Sequence, residues 1–200
     1  MAPIEQADVW LFGLLNLHLV HPAADDLMVF LTMERLSWHI YLLSALFMVI
    51  RKERSALPVI ALALLSVGLA DFMASGVFKP FMQRVRPCFA LEHYRLLVIQ
   101  VRSYSFASSH AANSAAVATI TWIFFHKGSR VEQLFTALMI IYALLLGYSR
   151  VYVGVHYPGD VLVGMVIGVC SALALYLLFS WFLKNLVQPA LMRQESRLNG

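Results

Sequence analysis

Four long apolar runs, at residues 56–78, 110–125, 131–148 and 161–183, constrain this chain more than any other feature. A helix needs roughly 20 mostly apolar residues to cross a bilayer, and the last run meets that comfortably. Backbone groups in lipid must be satisfied within the segment, so runs of this length suit helices rather than barrel strands. A fifth run, 36–50, is short for a span and extends back to Leu27 only through Glu34 and Arg35. The composition agrees: 60% of the 200 residues are hydrophobic and 13% are charged, against roughly 25% charged in a soluble domain. The expected fold is all-α, a polytopic transmembrane helix bundle of five to six spans. It reads as one domain over 1–200, with a transmembrane core at 36–183 and a cytoplasmic tail at 184–200.

The first 35 residues differ. Trp10, Asn16 and His18 interrupt "VWLFGLLNLHLVHP", and acidic Glu5, Asp8, Asp25, Asp26 and Glu34 outnumber Arg35. The segment 1–35 reads as an amphipathic helix lying along the interface. A sixth span there is the alternative, although "VWLFGLLNLHLV" alone is too short. The start lacks a basic n-region, so a cleaved signal peptide is not expected. Basic residues cluster at "RKER" (51–54), at "KGSR" (127–130), and at Lys184, Arg193 and Arg197. With five spans all three clusters share one side, which the positive-inside rule makes cytoplasmic. The N-terminus, the 79–109 loop and the 149–159 turn then face outward, towards the periplasm in a Gram-negative cell. The net charge of +4 is accounted for in this way without nucleic acid. Cys88 and Cys170 imply neither a disulfide framework nor a metal site. Trp10, Trp38, Trp122 and Trp181 lie near span ends, as belt aromatics do.

Three polar stretches stand out on the outward side. In "SRVYVGVHYPGD", His156 and Asp160 are four residues apart. If Pro158 opens the next helix, both face one side of its start. A carboxylate that holds one imidazole nitrogen makes the other a fixed nucleophile or base. Arg150, at the end of the preceding span, suits a phosphate or carboxylate. The alternative is a tethering salt bridge, although ionisable groups at membrane depth usually mark function. "KPFMQRVRP" supplies Lys79, Arg84 and Arg86, a pattern also common in solvated loops and headgroup contacts. In "SYSFASSHAANS", Ser108 reads as a helix N-cap. The amides that follow can hold an anion, and His110 beside them can supply a proton.

Taken in order, these stretches resemble the motifs of the type 2 phosphatidic acid phosphatase superfamily, membrane lipid phosphatases related to vanadium haloperoxidases. The family's K-x6-R-P matches Lys79, Arg86 and Pro87, and its S-R-x5-H-x3-D matches Ser149, Arg150, His156 and Asp160. Its P-S-G-H is matched by Ser108 and His110, with Ala107 and Ser109 where the family has proline and glycine. The resemblance implies a hydrolase that acts through a phosphohistidine. His156 is then the nucleophile, Asp160 its orienting carboxylate, and His110 the acid and later the base. Lys79, Arg86, Arg150, Ser108 and the Ser109–His110 amides would bind the phosphoryl oxygens. It implies no cofactor and no metal, because three permanent cations meet the charge that magnesium meets elsewhere. Activity should then be bell-shaped in pH.

The implied substrate is a lipid phosphate or diphosphate, with undecaprenyl diphosphate the first expectation. Phosphatidylglycerophosphate, phosphatidic acid and lipid A 1-phosphate are alternatives, as is phosphoryl transfer to another lipid. The implied place is the bacterial inner membrane, with the site on the outer face. A non-catalytic lipid-binding or transport protein is a different class, disfavoured because binding alone needs no nucleophile. A haloperoxidase is disfavoured by the spans. Asp71 and Ser149 are expected to support the site, Asp71 by steering Lys79 through i, i+4, i+8 spacing with Ser75. Arg84, Arg95, Arg102 and Tyr104 are expected to be solvated loop residues. His18, His21, His39, His93 and His126 match no motif.

Overall fold

The computed structural model describes residues 3–52 and 55–189. Glu53, Arg54, Arg193 and Arg197, part of the charge pattern above, lie outside the described residues. Every regular element among the described residues is helical. The order is α1 (Pro3–Gly13), a π-helical turn (Leu14–His18), a short 3-10 turn (Pro22–Ala24), α2 (Asp25–Thr32), α3 (Glu34–Lys52) and α4 (Ala56–Asp71). A π-helical turn (Phe72–Phe78) then leads into α5 (Lys79–Met82). After it come α6 (Pro87–Ala90), α7 (Ser109–Phe125), α8 (Arg130–Tyr152) and α9 (Pro158–Phe182), which runs on into a last π turn (Leu183–Val187).

Three segments, Ala56–Ala90, Arg130–Tyr152 and Pro158–Asn185, are long and apolar enough to cross a membrane, so the chain is a multi-pass membrane protein. Large apolar side chains such as Leu57, Leu64, Leu138, Leu162 and Leu177 point outward from these segments, as a lipid-facing surface requires. The five-span expectation also counted α3 and α7. The 17-residue α7 packs on α4, α8 and α9 at the centre of the bundle. Its alanines and serines are chosen for close contact with neighbours rather than for lipid. The run that seemed able to continue from Leu27 to Ile50 is broken: α2 stops at Thr32, and Met33 takes an extended backbone.

Helices in lipid lack a hydrophobic drive toward one another, so small residues that let backbones approach do much of the packing. Gly164 and Gly168 on α9 show this. A Cβ at Gly164 would strike the carbonyl of Ser108, and one at Gly168 the carbonyl of Ala112. The α7–α9 contact therefore holds the start of α7 against the start of α9, the two places where the motif residues lie.

The N-terminal segment is not one helix. Phe12 and Asn16 are fully buried. Phe12 meets Tyr157 edge-on with ring centres 5.6 Å apart. Asn16 Nδ2 donates to the carbonyls of Arg95 (2.9 Å) and Tyr152 (2.8 Å), and its Oδ1 accepts from the Arg95 amide (2.7 Å). A residue that looks like a polar flaw in an interfacial helix is a clamp on the turn after α8.

Candidate active site

The turn between α8 and α9 is built by backbone geometry. Both Val155 and His156 donate their amides to the Arg150 carbonyl, at 3.1 and 3.2 Å, which curls the chain inward. Gly154 has φ 88°, and a Cβ there would strike the Arg95 carbonyl, so the turn requires glycine. Pro158 is the first residue of α9, as its fixed φ and missing N–H favour. Asp160 Oδ2 accepts from the Tyr157 amide at 2.9 Å, capping the helix from its third position. His156 and Asp160 are both buried, and Nδ1 lies 3.5 Å from Asp160 Oδ2. Ser105 completes this side: its hydroxyl bonds Asp160 Oδ2 and lies 3.5 Å from His156 Nδ1.

The other imidazole nitrogen faces Arg86. Nη1 of Arg86 is 2.9 Å from His156 Nε2 and donates to the Val155 carbonyl at 2.8 Å. Its Nε and Nη2 reach the Ser103 hydroxyl at 3.2 and 3.1 Å. A guanidinium can only donate. Nε2 therefore accepts and holds the lone pair, and the proton of the neutral ring sits on Nδ1, facing Asp160 and Ser105. Burial pushes the His156 imidazole down to about 3, further than Asp160 can pull it up. The neutral ring, its Nε2 lone pair held by Arg86, is thus the resting form.

Ser108 caps α7, its hydroxyl accepting from the Ala111 amide at 3.5 Å. Its own amide donates to the Asp160 carbonyl at 3.0 Å, which ties the second stretch to the third. Lys79 Nζ is 3.2 Å from the Ser75 hydroxyl and 3.5 Å from that of Ser109. The serine that stands in place of glycine thus puts a hydroxyl beside Lys79. His110 lies within electrostatic reach of Arg150, His156, Lys79 and Arg86.

Five side chains make contacts that the sequence did not lead one to expect. Arg150 Nη1 donates to the Thr32 hydroxyl (2.6 Å) and carbonyl (3.2 Å), so the break after α2 supplies a holder for it. Asp71 accepts from Asn113 at 3.4 Å, while the bonds from Lys79 go to Ser75 and Ser109. Ser149 folds its hydroxyl back onto the Leu146 carbonyl, 2.7 Å away within α8. Arg84 is no solvated loop residue: Nη1 lies 2.7 Å from both Asp160 Oδ1 and Asp8 Oδ2. Arg95 is likewise engaged, paired with Asp25, which also accepts from the Tyr152 hydroxyl at 2.7 Å. Asp25 is held below the usual carboxylate range, first by Tyr152 and then by Arg95.

Ser103, Ser105, Thr32 and Asp8 were missed by sequence reasoning. Ser103 and Ser105 open the second stretch at a spacing that carries no signal of its own. Thr32 and Asp8 are more than a hundred residues from their partners in the third stretch.

A cleft of about 360 Å³ opens beside His110 between α3, α4 and α7. Trp38, Tyr41, Met48, Ile60 and Val67 line it, with Asn113 next to His110 at the polar end. An apolar groove with a few polar groups at one end suits a ligand that is mostly hydrocarbon.

Residues 57–184 match the PAP2 superfamily, and the chain belongs to it. It is 29% identical over 158 residues to a lipid A 4'-phosphatase of Porphyromonas gingivalis, covering 74% of this chain and 63% of that protein. It is 30% identical over 161 residues to an undecaprenyl-diphosphatase of Sulfolobus acidocaldarius, covering 80% of this chain and 73% of that one. Thus the chain spans less than two thirds of the first of these relatives. The crystal structure of a transmembrane PAP2-type phosphatidylglycerolphosphate phosphatase from Bacillus subtilis superposes with a TM-score of 0.69. The two share 26% identity, with 90% of this chain and 88% of that one covered.

Proposed function

We propose that this protein is a membrane phosphatase that removes the terminal phosphate from a lipid phosphate or diphosphate through a phosphohistidine. The observation that carries the reading is the pairing of His156, with Arg86 at Nε2 and Asp160 with Ser105 at Nδ1. That arrangement presents one lone pair and fixes the other nitrogen.

In the reaction, the Nε2 lone pair forms a bond to phosphorus as the bond from phosphorus to the leaving oxygen breaks. His110, in its protonated form, gives that oxygen its proton. Asp160 stabilises the positive charge that grows on His156. In the second step His110 takes a proton from water, whose oxygen bonds phosphorus, and the N–P electrons return to Nε2. Lys79, Arg86, Arg150, the Ser108 and Ser109 hydroxyls and the Ser109–His110 amides hold the three equatorial oxygens. Fixed donors in a poorly hydrated site stabilise charge more than the same groups in water. Arg86 has a double task, since the bond it makes to Nε2 must pass to a phosphoryl oxygen as substrate enters.

His110 serves the leaving oxygen, so the lipid departs on its side, where the apolar cleft opens. A polyprenyl chain suits that lining, and undecaprenyl diphosphate is the preferred substrate. The likeness to a lipid A 4'-phosphatase supports a second reading, a phosphate on lipid A. The chain crosses the bilayer five times, α3 and α7 included. The N-terminal segment lies at the interface and the site is on the outer face.

The test is phosphate release from undecaprenyl diphosphate, phosphatidylglycerophosphate and lipid A by the purified protein in EDTA, compared by kcat/KM. His156→Ala should lower kcat by at least about 10⁴-fold, as loss of a nucleophile does elsewhere. Near-normal release by the pure variant would overturn the assignment.

A further inference from the structure

Arg84, which the K-x6-R-P match leaves without a role, and Asp8 of α1 join the catalytic pair to the N-terminal helix. Arg84 Nη1 carries two hydrogens, and Asp160 Oδ1 and Asp8 Oδ2 each lie 2.7 Å from it. The Arg84 guanidinium carbon lies over the Tyr157 ring, 3.9 Å from its centre, a second contact that holds it in place. Asp8 Oδ1 accepts from the Gly159 amide at 2.7 Å, in the first turn of α9. The Arg84, Asp8 and Asp160 side chains are 21%, 13% and 0% exposed, so none of these charges is well hydrated. A poorly solvated ion group persists only where its members satisfy one another.

We infer that Asp8 and Arg84 are positioning residues for the His156–Asp160 pair, which makes α1 a working part of the catalytic centre. The inference rests on the phosphohistidine reading above. Asp160 has two oxygens with different tasks. Oδ2 faces His156 Nδ1, Ser105 and the Tyr157 amide, while Oδ1 is held by Arg84. Arg84 therefore sets the rotation of the carboxylate about its own axis. It also draws on the negative charge that the phosphohistidine needs. Asp8 offsets this draw, because the cation is shared between two carboxylates. With Asp8 uncharged, Arg84 pairs with Asp160 alone, and less of the Asp160 charge is left to stabilise the cationic ring. This loss falls on the covalent step and leaves substrate binding alone, since both ion pairs of Arg84 among the described residues are to carboxylates. Gly159 is the seat of Asp8: a Cβ there would come within 2.9 Å of Asp8 Oδ2.

The experiment follows phosphate release from dioctanoyl phosphatidic acid in detergent micelles. Asp8→Asn keeps an acceptor for the Gly159 amide but loses the charge. Its kcat should fall about tenfold with KM within about twofold, the scale on which outer partners of a working histidine act. Asp8→Glu should restore most of the loss. Gly159→Ala, which displaces Asp8 sterically, should lower kcat similarly, and the double variant should be no worse than the poorer single one. Melting temperatures in the same detergent are read in parallel. A kcat for Asp8→Asn within about twofold of wild type overturns the inference. So does a loss that appears in KM, or one that follows a fall in the folded fraction. A wild-type protein that releases no phosphate from any lipid phosphate overturns the underlying phosphatase reading instead, and is told apart by that control.

Discussion

The two ends of the bundle both carry ion pairs, built on different plans. At the start of α8, Ser129 and Glu132 cap each other: the Ser129 amide donates to Glu132 Oε2 at 2.7 Å, and the Glu132 amide to Ser129 Oγ at 3.4 Å. Arg51 adds a bond to Ser129 at 3.0 Å and an ion pair to Glu132 at 3.4 Å, with its own side chain 37% exposed. Most of this is a conversation between residues three apart, with Glu132 buried and Ser129 and Arg51 exposed to water. At the other end, Asp8, Arg84, Arg86, Ser105, His156 and Asp160 come from four separate stretches, and His156 and Asp160 are sealed from solvent. The first plan ends a helix. The second takes charges out of water, which costs several kcal/mol per ion and calls for a compensating role. Burial of charge across long sequence distance, rather than charge itself, separates a working site from a cap.

That contrast can be broken in order of expected effect. Arg86→Lys keeps a cation but cannot span His156, Val155 and Ser103 at once. It should lower kcat by about 10²-fold, the scale of one lost transition-state donor. Steady-state kinetics on the preferred lipid checks this, and unchanged kcat would remove Arg86 from the phosphoryl site. A smaller effect is expected from pH. The His156 imidazole sits near 3 in the folded protein against an ordinary 6.5. The unfolded chain therefore binds the proton more readily, and stability falls as pH drops from about 6.5 towards about 3. Melting temperature against pH should be steeper on that limb for wild type than for His156→Gln; equal slopes would mean the ring is not held neutral. The smallest effect belongs to the other end. Ser129→Ala should cost about 1 kcal/mol of stability and leave kcat unchanged. A fall in kcat from Ser129→Ala would show that the two ends are coupled.

The His156 limb also refines the pH expectation. With His156 neutral down to about 3, the acid side of the activity profile above that pH is not set by this ring.

Much of this was legible before any coordinates. The long apolar runs imply helices because a backbone in lipid has no other way to pair its amides. The cap at Ser108, the proline start of α9 and the His156–Asp160 spacing are local, and local rules read them correctly. Spacing fails once the partner is distant. Arg84 reads as a solvated loop cation because nothing near it in sequence is acidic, yet the fold brings it to Asp8 and Asp160. Nothing in the sequence marks Thr32, and only the break after α2 turns its carbonyl towards Arg150. Asn16 reads as an interruption because its acceptors are the carbonyls of Arg95 and Tyr152. The sequence by itself determined the helical class, the motif order and the pairing of His156 with Asp160, since each follows from composition or from short spacings. Tertiary structure alone decided which cation faces which nitrogen of His156 and how Arg84 is shared, because those depend on close approach of α7 to α9 at Gly164 and Gly168 and on the docking of α1.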